Sequence, residues 1–215
     1  MLLLTSEMLL RAYATGVFPM ARNRQDAKLY WIDPDQRGVL PLESFHVPRS
    51  LMKTLRRNVF EVRCDTAFAA VIRLCAAATP ERPDTWINEE IIRLFVEMHE
   101  LGLAHSVETW QGDQLVGGLY GLSLGGAFFG ESMFSRVTDA SKVALVHLVA
   151  RLKRGRYGLL DTQFVTEHLQ RFGAVEIPRG EYLRRLTRAI ERRAVFQRVL
   201  DVPLEVALQS RTQTS

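Results

Sequence analysis

The sequence predicts an α+β protein built on a mixed sheet with flanking helices. Three observations predict it. The middle of the chain reads as two consecutive hairpins, the C-terminal half as strand, helix, strand, helix, and 47% of the 215 residues are hydrophobic. That supply of apolar residues is enough to fill the core of one medium domain with a small appendage.

Taken in order, Ser6 is placed to cap a short helix that carries Leu9, Leu10 and Tyr13 on one side, and Gly16 supplies its stop. A tight Val17-Phe18-Pro19-Met20 follows. Residues 22–41 read as irregular chain turning at Asp33-Pro34 and Asp35 around a short Leu29-Tyr30-Trp31 strand, so that residues 1–35 form a small N-terminal domain and residues 36–215 the rest. Next come a helix near Pro48 to Arg57, a strand from Phe60 to Cys64, and a helix that the Asp65 carboxylate can cap. Asn88 caps a further helix, with Ile91, Ile92, Phe95 and Met98 at helical spacing, ended by Gly102.

Ala104–Trp110, Gln114–Ser123 and Ala127–Phe134 form the hairpin strands, turned at Gln111-Gly112-Asp113 and at Gly125-Gly126. Asp139 stands ready to cap the helix Ala140–Arg154. A short strand Leu159–Gln163, a short helix opened by Thr166 and stopped at Gly173, a strand Val175–Ile177 and a basic helix from Glu181 complete the series. The tail after Pro203 reads as fraying.

The formal net charge of +4, with a pI of about 9.3, gives a weak long-range attraction for polyanions. No apolar run approaches the roughly 18 residues of a membrane span, and Met1-Leu2-Leu3-Leu4 is too short for a signal peptide. With only Cys64 and Cys75, neither a disulfide framework nor a cysteine zinc site is expected, and the cytoplasm is the default location. The histidines His46, His99, His105, His147 and His168 show no metal-ligand spacing.

The chemistry concentrates in Gly130–Arg136, Leu159–Phe164 and Asp84–Ile87, where polar groups sit among apolar ones. Glu131 lies in a strand otherwise made of Phe128, Phe129, Met133 and Phe134, and an unpartnered carboxylate there would cost several kcal/mol. It therefore needs a cleft or a buried partner such as Arg136. Strict alternation puts Phe129, Glu131 and Met133 on one face of that strand, and Asp161 and Gln163 together on one face of theirs.

Seven blocks in one order carry a resemblance: Tyr13-Ala14-Thr15-Gly16-Val17-Phe18-Pro19, Thr85-Trp86-Ile87, His105-Ser106-Val107-Glu108, Leu115–Gly121, Gly130–Arg136, Asp161-Thr162-Gln163 and Gly173–Pro178. Together they resemble the bacterial leucyl/phenylalanyl-tRNA–protein transferases from about Thr5 to Arg185. The resemblance implies a small N-terminal domain, an acetyltransferase-like (GNAT) catalytic domain, and no need of ATP, metal or coenzyme A; the chain departs from it in lacking the longer N-terminal extension of other members, so the N-terminal domain is expected to be reduced to about 35 residues.

It also implies roles. Gln163 matches a glutamine that accepts a hydrogen bond from the attacking amine, Asp161 a supporting carboxylate, and Glu131 a glutamate lining the active pocket. Phe128, Met133 and Leu119 match the pocket for the transferred side chain, Trp86 an aromatic beside the terminal adenosine, and Tyr13 a residue at the same mouth. Met20 stands where many relatives carry an aromatic. The donor implied is Leu- or Phe-charged tRNA, and the acceptors are proteins beginning with Arg or Lys, thereby marked for degradation. Arg49, Lys53, Arg56 and Arg57 lie on or near one helix and are candidates for acceptor-stem phosphates. A monomer is the default.

Two rivals are weaker. An acyl-coenzyme A dependent N-acetyltransferase needs a glycine-containing pyrophosphate turn after the Glu131 strand, but the chain reads Ser135-Arg136-Val137-Thr138-Asp139. A non-catalytic RNA-binding module needs basic and aromatic residues interleaved on one sheet face, whereas here the aromatics accompany Glu131 and Asp161.

Overall fold

A computed structural model describes residues 4–79 and 83–209. Helix α1 (Ser6–Ala14) is capped by Thr5, whose hydroxyl accepts from the Met8 amide at 3.2 Å, one residue earlier than the sequence suggested. Gly16, at φ +87°, turns the chain into a two-stranded ribbon of β1 (Phe18–Met20) and β2 (Tyr30–Ile32). In that ribbon Met20 stands opposite Tyr30 and Pro19 opposite Trp31.

The main sheet has seven strands: β3 (Gln36–Val39), β4 (Glu61–Cys64), β5 (Ala104–Gln111), β6 (Gln114–Leu124), β7 (Ala127–Ser135), β8 (Leu159–Gln163) and β9 (Val175–Pro178). Their order is β4-β5-β6-β7-β8-β3-β9. Every pairing is antiparallel except β7 with β8, which are joined by helix α5 (Ala140–Arg154) as a parallel crossover. Strand β3 falls within the stretch 22–41, where the sequence pattern predicts irregular chain. Its four residues carry no clear alternation, and its place between β8 and β9 is set by long-range pairing.

One face of the sheet packs against α1, α3 (Phe68–Cys75), α4 (Glu89–Glu100) and α7 (Arg179–Ile190), around Leu9, Phe95, Tyr120 and Phe129. The other packs against α2 (Arg49–Arg57) and α5, around Leu51, Phe128, Leu148 and Tyr157. Helix α6 (Glu167–Gln170) is capped by Thr166 as expected, and α8 (Leu204–Gln209) forms where fraying was expected. Residues 210–215 of that tail lie outside the described residues.

The caps divide. Asn88 does cap α4, accepting from the Ile91 amide at 2.9 Å, a contact worth about 1 kcal/mol. Asp65 and Asp139 do not cap, because both residues take positive φ and their carboxylates find stronger partners. Asp65 accepts from the Ser106 amide and Arg198 and pairs with His105, and Asp139 holds Lys142 and Thr54. Glu108 takes over for α3, accepting from the Thr66 and Ala67 amides.

Candidate active site

Strands β7 and β8 pair only over Ala127–Phe129 and Leu159–Asp161 and then separate. Their separation is prepared by a bulge: Gly121 faces Gly130, Tyr120 faces Ser132, and Glu131 is the extra residue. The bulge resets the alternation. Phe129 and Phe134 therefore join one core layer, while Phe128 and Met133 join the other. The expectation that Phe129, Glu131 and Met133 share a face is thus corrected.

The crevice at the carboxyl ends of a parallel strand pair is a recurrent place for a ligand site. Here it opens into a cavity of about 310 Å³, reaching from Trp86 and Phe18 on one side of the sheet to Leu145 and Leu148 of α5 on the other. Its walls are chiefly apolar. Of the residues singled out in sequence, Glu131, Gln163, Met133, Leu119, Trp86 and Met20 line it. Phe128 does not: it is fully buried against Tyr157 and Phe196.

Tyr13 lies beneath the cavity, fully buried, and donates to Glu131 Oε1 at 2.8 Å. Gln163 Nε2 donates to the same oxygen at 3.0 Å. Glu131 Oε2 has no hydrogen-bond partner although it is buried. Burial, only partly offset by the Tyr13 hydrogen bond, pushes the Glu131 carboxyl up to about 8. Arg136, the arginine considered as its partner, is not among its contacts.

Asp161 does not open into the cavity; it is fully buried and saturated. Arg37 Nη2 and Tyr182 Oη donate to Oδ2 at 2.7 and 2.6 Å, Arg37 Nε bridges both oxygens, and the Gln163 amide donates to Oδ1 at 2.8 Å. Arg37 in turn donates to the Gly16 carbonyl and lies over the rings of Phe18 and Tyr182. Gln163 itself takes φ +59°, and its amide bond to Asp161 holds that turn. Asp161 therefore positions Gln163 through the backbone.

Nothing local in the sequence marks Arg37, a single arginine in a four-residue strand without periodic signal, or Tyr182, which reads as one buried position of the helix that also carries Leu186 and Ala189. Thr162 Oγ1, another buried polar atom without a partner, belongs to a residue that also lines the cavity. His105, at the start of β5, pairs with Asp65 and stacks on Phe196. Among the described residues no three His, Cys, Asp or Glu side chains converge as a metal set. Nor is any helix long and apolar enough to cross a membrane.

Arg49, Lys53, Arg56 and Arg57 lie on α2, exposed, and pair with no carboxylate among the described residues. Leu51 anchors the helix in the core. Three of the cations, at positions 49, 53 and 56, recur at helical spacing on one face.

A sequence model of the leucyl/phenylalanyl-tRNA protein transferase family matches residues 39–187. The chain belongs to this family. A model of the family's N-terminal domain matches residues 3–35, so Arg37 falls between the two matched spans. Relatives named leucyl/phenylalanyl-tRNA–protein transferase extend over nearly the whole chain. That of Paramagnetospirillum magneticum is 68% identical, covering 95% of this chain and 98% of the relative. That of Rhodospirillum rubrum is 62% identical, covering 94% of each. That of Maricaulis maris is 57% identical, covering 98% of each.

Proposed function

We propose that the protein transfers leucine or phenylalanine from its aminoacyl-tRNA to the N-terminal α-amine of acceptor proteins that begin with Arg or Lys, marking them for degradation. The observation that carries this reading is Glu131: a carboxyl tuned to about 8, with one free oxygen, beside the Gln163 amide in an apolar cavity. An N-terminal amine has a pKa of roughly 8, so base and nucleophile are matched near neutrality.

In this reading the ionised Glu131 accepts only, which turns the Gln163 NH₂ toward it and leaves the Gln163 carbonyl oxygen to accept from the substrate amine. The amine attacks the ester carbonyl, the C–N bond forms, and the bond to the ribose 3′ oxygen breaks. Glu131 Oε2 takes the amine proton and is placed to return it to the leaving oxygen. Asp161, with both oxygens already occupied by donors, takes no substrate proton. The ester is already activated, so alignment and exclusion of water supply most of the rate. No ATP, metal or coenzyme A enters.

Met133 and Leu119, with Leu145 and Leu148, form the side-chain pocket, and a polar side chain would lose its hydration there without return. Trp86 and Met20 flank the terminal adenosine at the mouth, and the α2 cations hold acceptor-stem phosphates. We read the fold as GNAT-like, residues 1–35 as a small N-terminal domain, and the protein as a cytoplasmic monomer. The test is transfer of labelled leucine from Leu-tRNA to a peptide beginning with Arg, without ATP or acetyl-coenzyme A. Transfer to that peptide, and not to its N-acetylated form, is the expected result; no transfer by folded protein would refute the reading.

A further inference from the structure

Beyond the cavity mouth the β1–β2 ribbon carries an aromatic residue with no assigned task. Tyr30 stands opposite Met20 in the ribbon register, so the two side chains share a face. Met20 lines the cavity and Tyr30 does not; Tyr30 lines an adjoining open groove of about 760 Å³ together with Arg24, Lys28 and Trp31. Met20 of the cavity and Tyr30 of the groove are thus partners across the ribbon. Trp86 is tied to the same corner, its carbonyl accepting from the Ala21 amide at 3.2 Å.

Tyr30 is half-buried and keeps ring surface open, and the Arg22 guanidinium lies 4.4 Å from its ring centroid. Among the described residues Arg22 pairs with no carboxylate. An aromatic ring with a planar cation over it is the platform on which an unpaired base stacks and beside which its phosphate is neutralised. Of the acidic groups of the groove, Glu89 is engaged by Arg24 and Arg73 and Glu90 by Arg93, while Asp26 accepts from the Lys28 backbone amide.

We propose that Tyr30, backed by Arg22, is a stacking site for the base of the nucleotide next to the terminal adenosine of the donor RNA. The inference rests on the aminoacyl-tRNA reading above and adds where the single-stranded 3′ end goes as it leaves the cavity. The terminal nucleoside sits at the mouth, against Met20 and Trp86. The preceding base crosses the ribbon onto Tyr30, and the strand continues into the groove flanked by Arg24 and Lys28.

The test compares three donors carrying phenylalanine: full tRNA, the dinucleotide cytidylyl-adenosine, and adenosine alone. Tyr30→Ala, Tyr30→Phe and Arg22→Ala are compared with wild type, each first checked for unchanged thermal unfolding. Tyr30→Ala raises KM for the tRNA and dinucleotide donors by about fivefold or more with kcat little changed, and this penalty clearly exceeds that on the adenosine donor. Tyr30→Phe restores KM to within about twofold, since the ring is kept. Arg22→Ala gives a smaller rise and a shallower salt dependence. Equal penalties on the dinucleotide and adenosine donors, or no penalty on any, would overturn the stacking site while leaving the transfer reaction standing. Absence of transfer by the wild type from all three would overturn both.

Discussion

The Tyr13 hydroxyl and Glu131 Oε1 lie 2.8 Å apart although 118 residues separate them in the chain. That bond ties the N-terminal helix to the bulged strand and occupies the carboxyl oxygen that Gln163 also uses, which leaves Oε2 free. Burial, and then the Glu131 charge, raise the Tyr13 hydroxyl well above its ordinary value, so it stays a donor throughout the working pH range.

Removing that donor has a predictable sign. Tyr13→Phe takes away a hydrogen bond to the charged form, so the Glu131 carboxyl rises above about 8. The ascending limb of transfer against pH should then move to higher pH by about one unit. The folded carboxyl already titrates above its free value, so its ionisation lowers stability as pH rises toward 8, and Glu131→Gln should flatten that decline. An unmoved limb in Tyr13→Phe would show that Glu131 is not the titrating group.

The buried Arg37–Asp161 pair, 2.7 Å apart with Arg37 1% and Asp161 0% exposed, gives a stability prediction. Arg37→Met strands an unpaired carboxylate and should cost about 3–5 kcal/mol in denaturant unfolding. The double variant Arg37→Met with Asp161→Leu should recover much of that loss. Transfer should nevertheless stay low, because the Gln163 turn has lost the carboxylate that holds its amide.

Met133, which lines the cavity, and Phe128, which is buried behind it in the core, separate by experiment. Met133→Ala widens the cavity and should shift the preference from leucine toward phenylalanine by about tenfold. Phe128→Ala, deep in the core, should cost about 3–5 kcal/mol of stability with the preference unchanged. Competition between the two charged tRNAs measures the first, and thermal unfolding the second.

On α2, single alanine substitutions at Arg49, Lys53 or Arg56 should raise KM for the tRNA donor while leaving kcat. Each lost phosphate contact should lower the slope of log affinity against log salt by about 0.7–0.9. Unchanged salt dependence in all three would return the helix face to ordinary solvated charge.

Much of this was legible in the sequence. The long hairpin strands, α4, α5 and β8 announced themselves by periodicity and glycine turns, and Glu131 by its charge in an apolar strand. What was hidden depended on partners distant in the chain. At the Glu131 bulge the strands lie so close that a side chain on Gly121 would come within 2.3 Å of the Phe129 carbonyl, and no local pattern reveals that. Arg37 likewise looks like a surface residue until β3 is inserted between β8 and β9. Asp65 and Asp139 sat at plausible cap positions but were claimed by His105, Arg198, Lys142 and Thr54.

The most direct test of the account is the rate of leucine transfer to an Arg-initiated peptide by Glu131→Gln and Gln163→Ala at saturating donor, each shown to be folded at the assay temperature and pH. The account predicts that both fall by about tenfold or more, as loss of a positioned acid–base group or its partner requires. Either variant within about twofold of wild type would contradict the Glu131–Gln163 centre and place the chemistry elsewhere in the cavity.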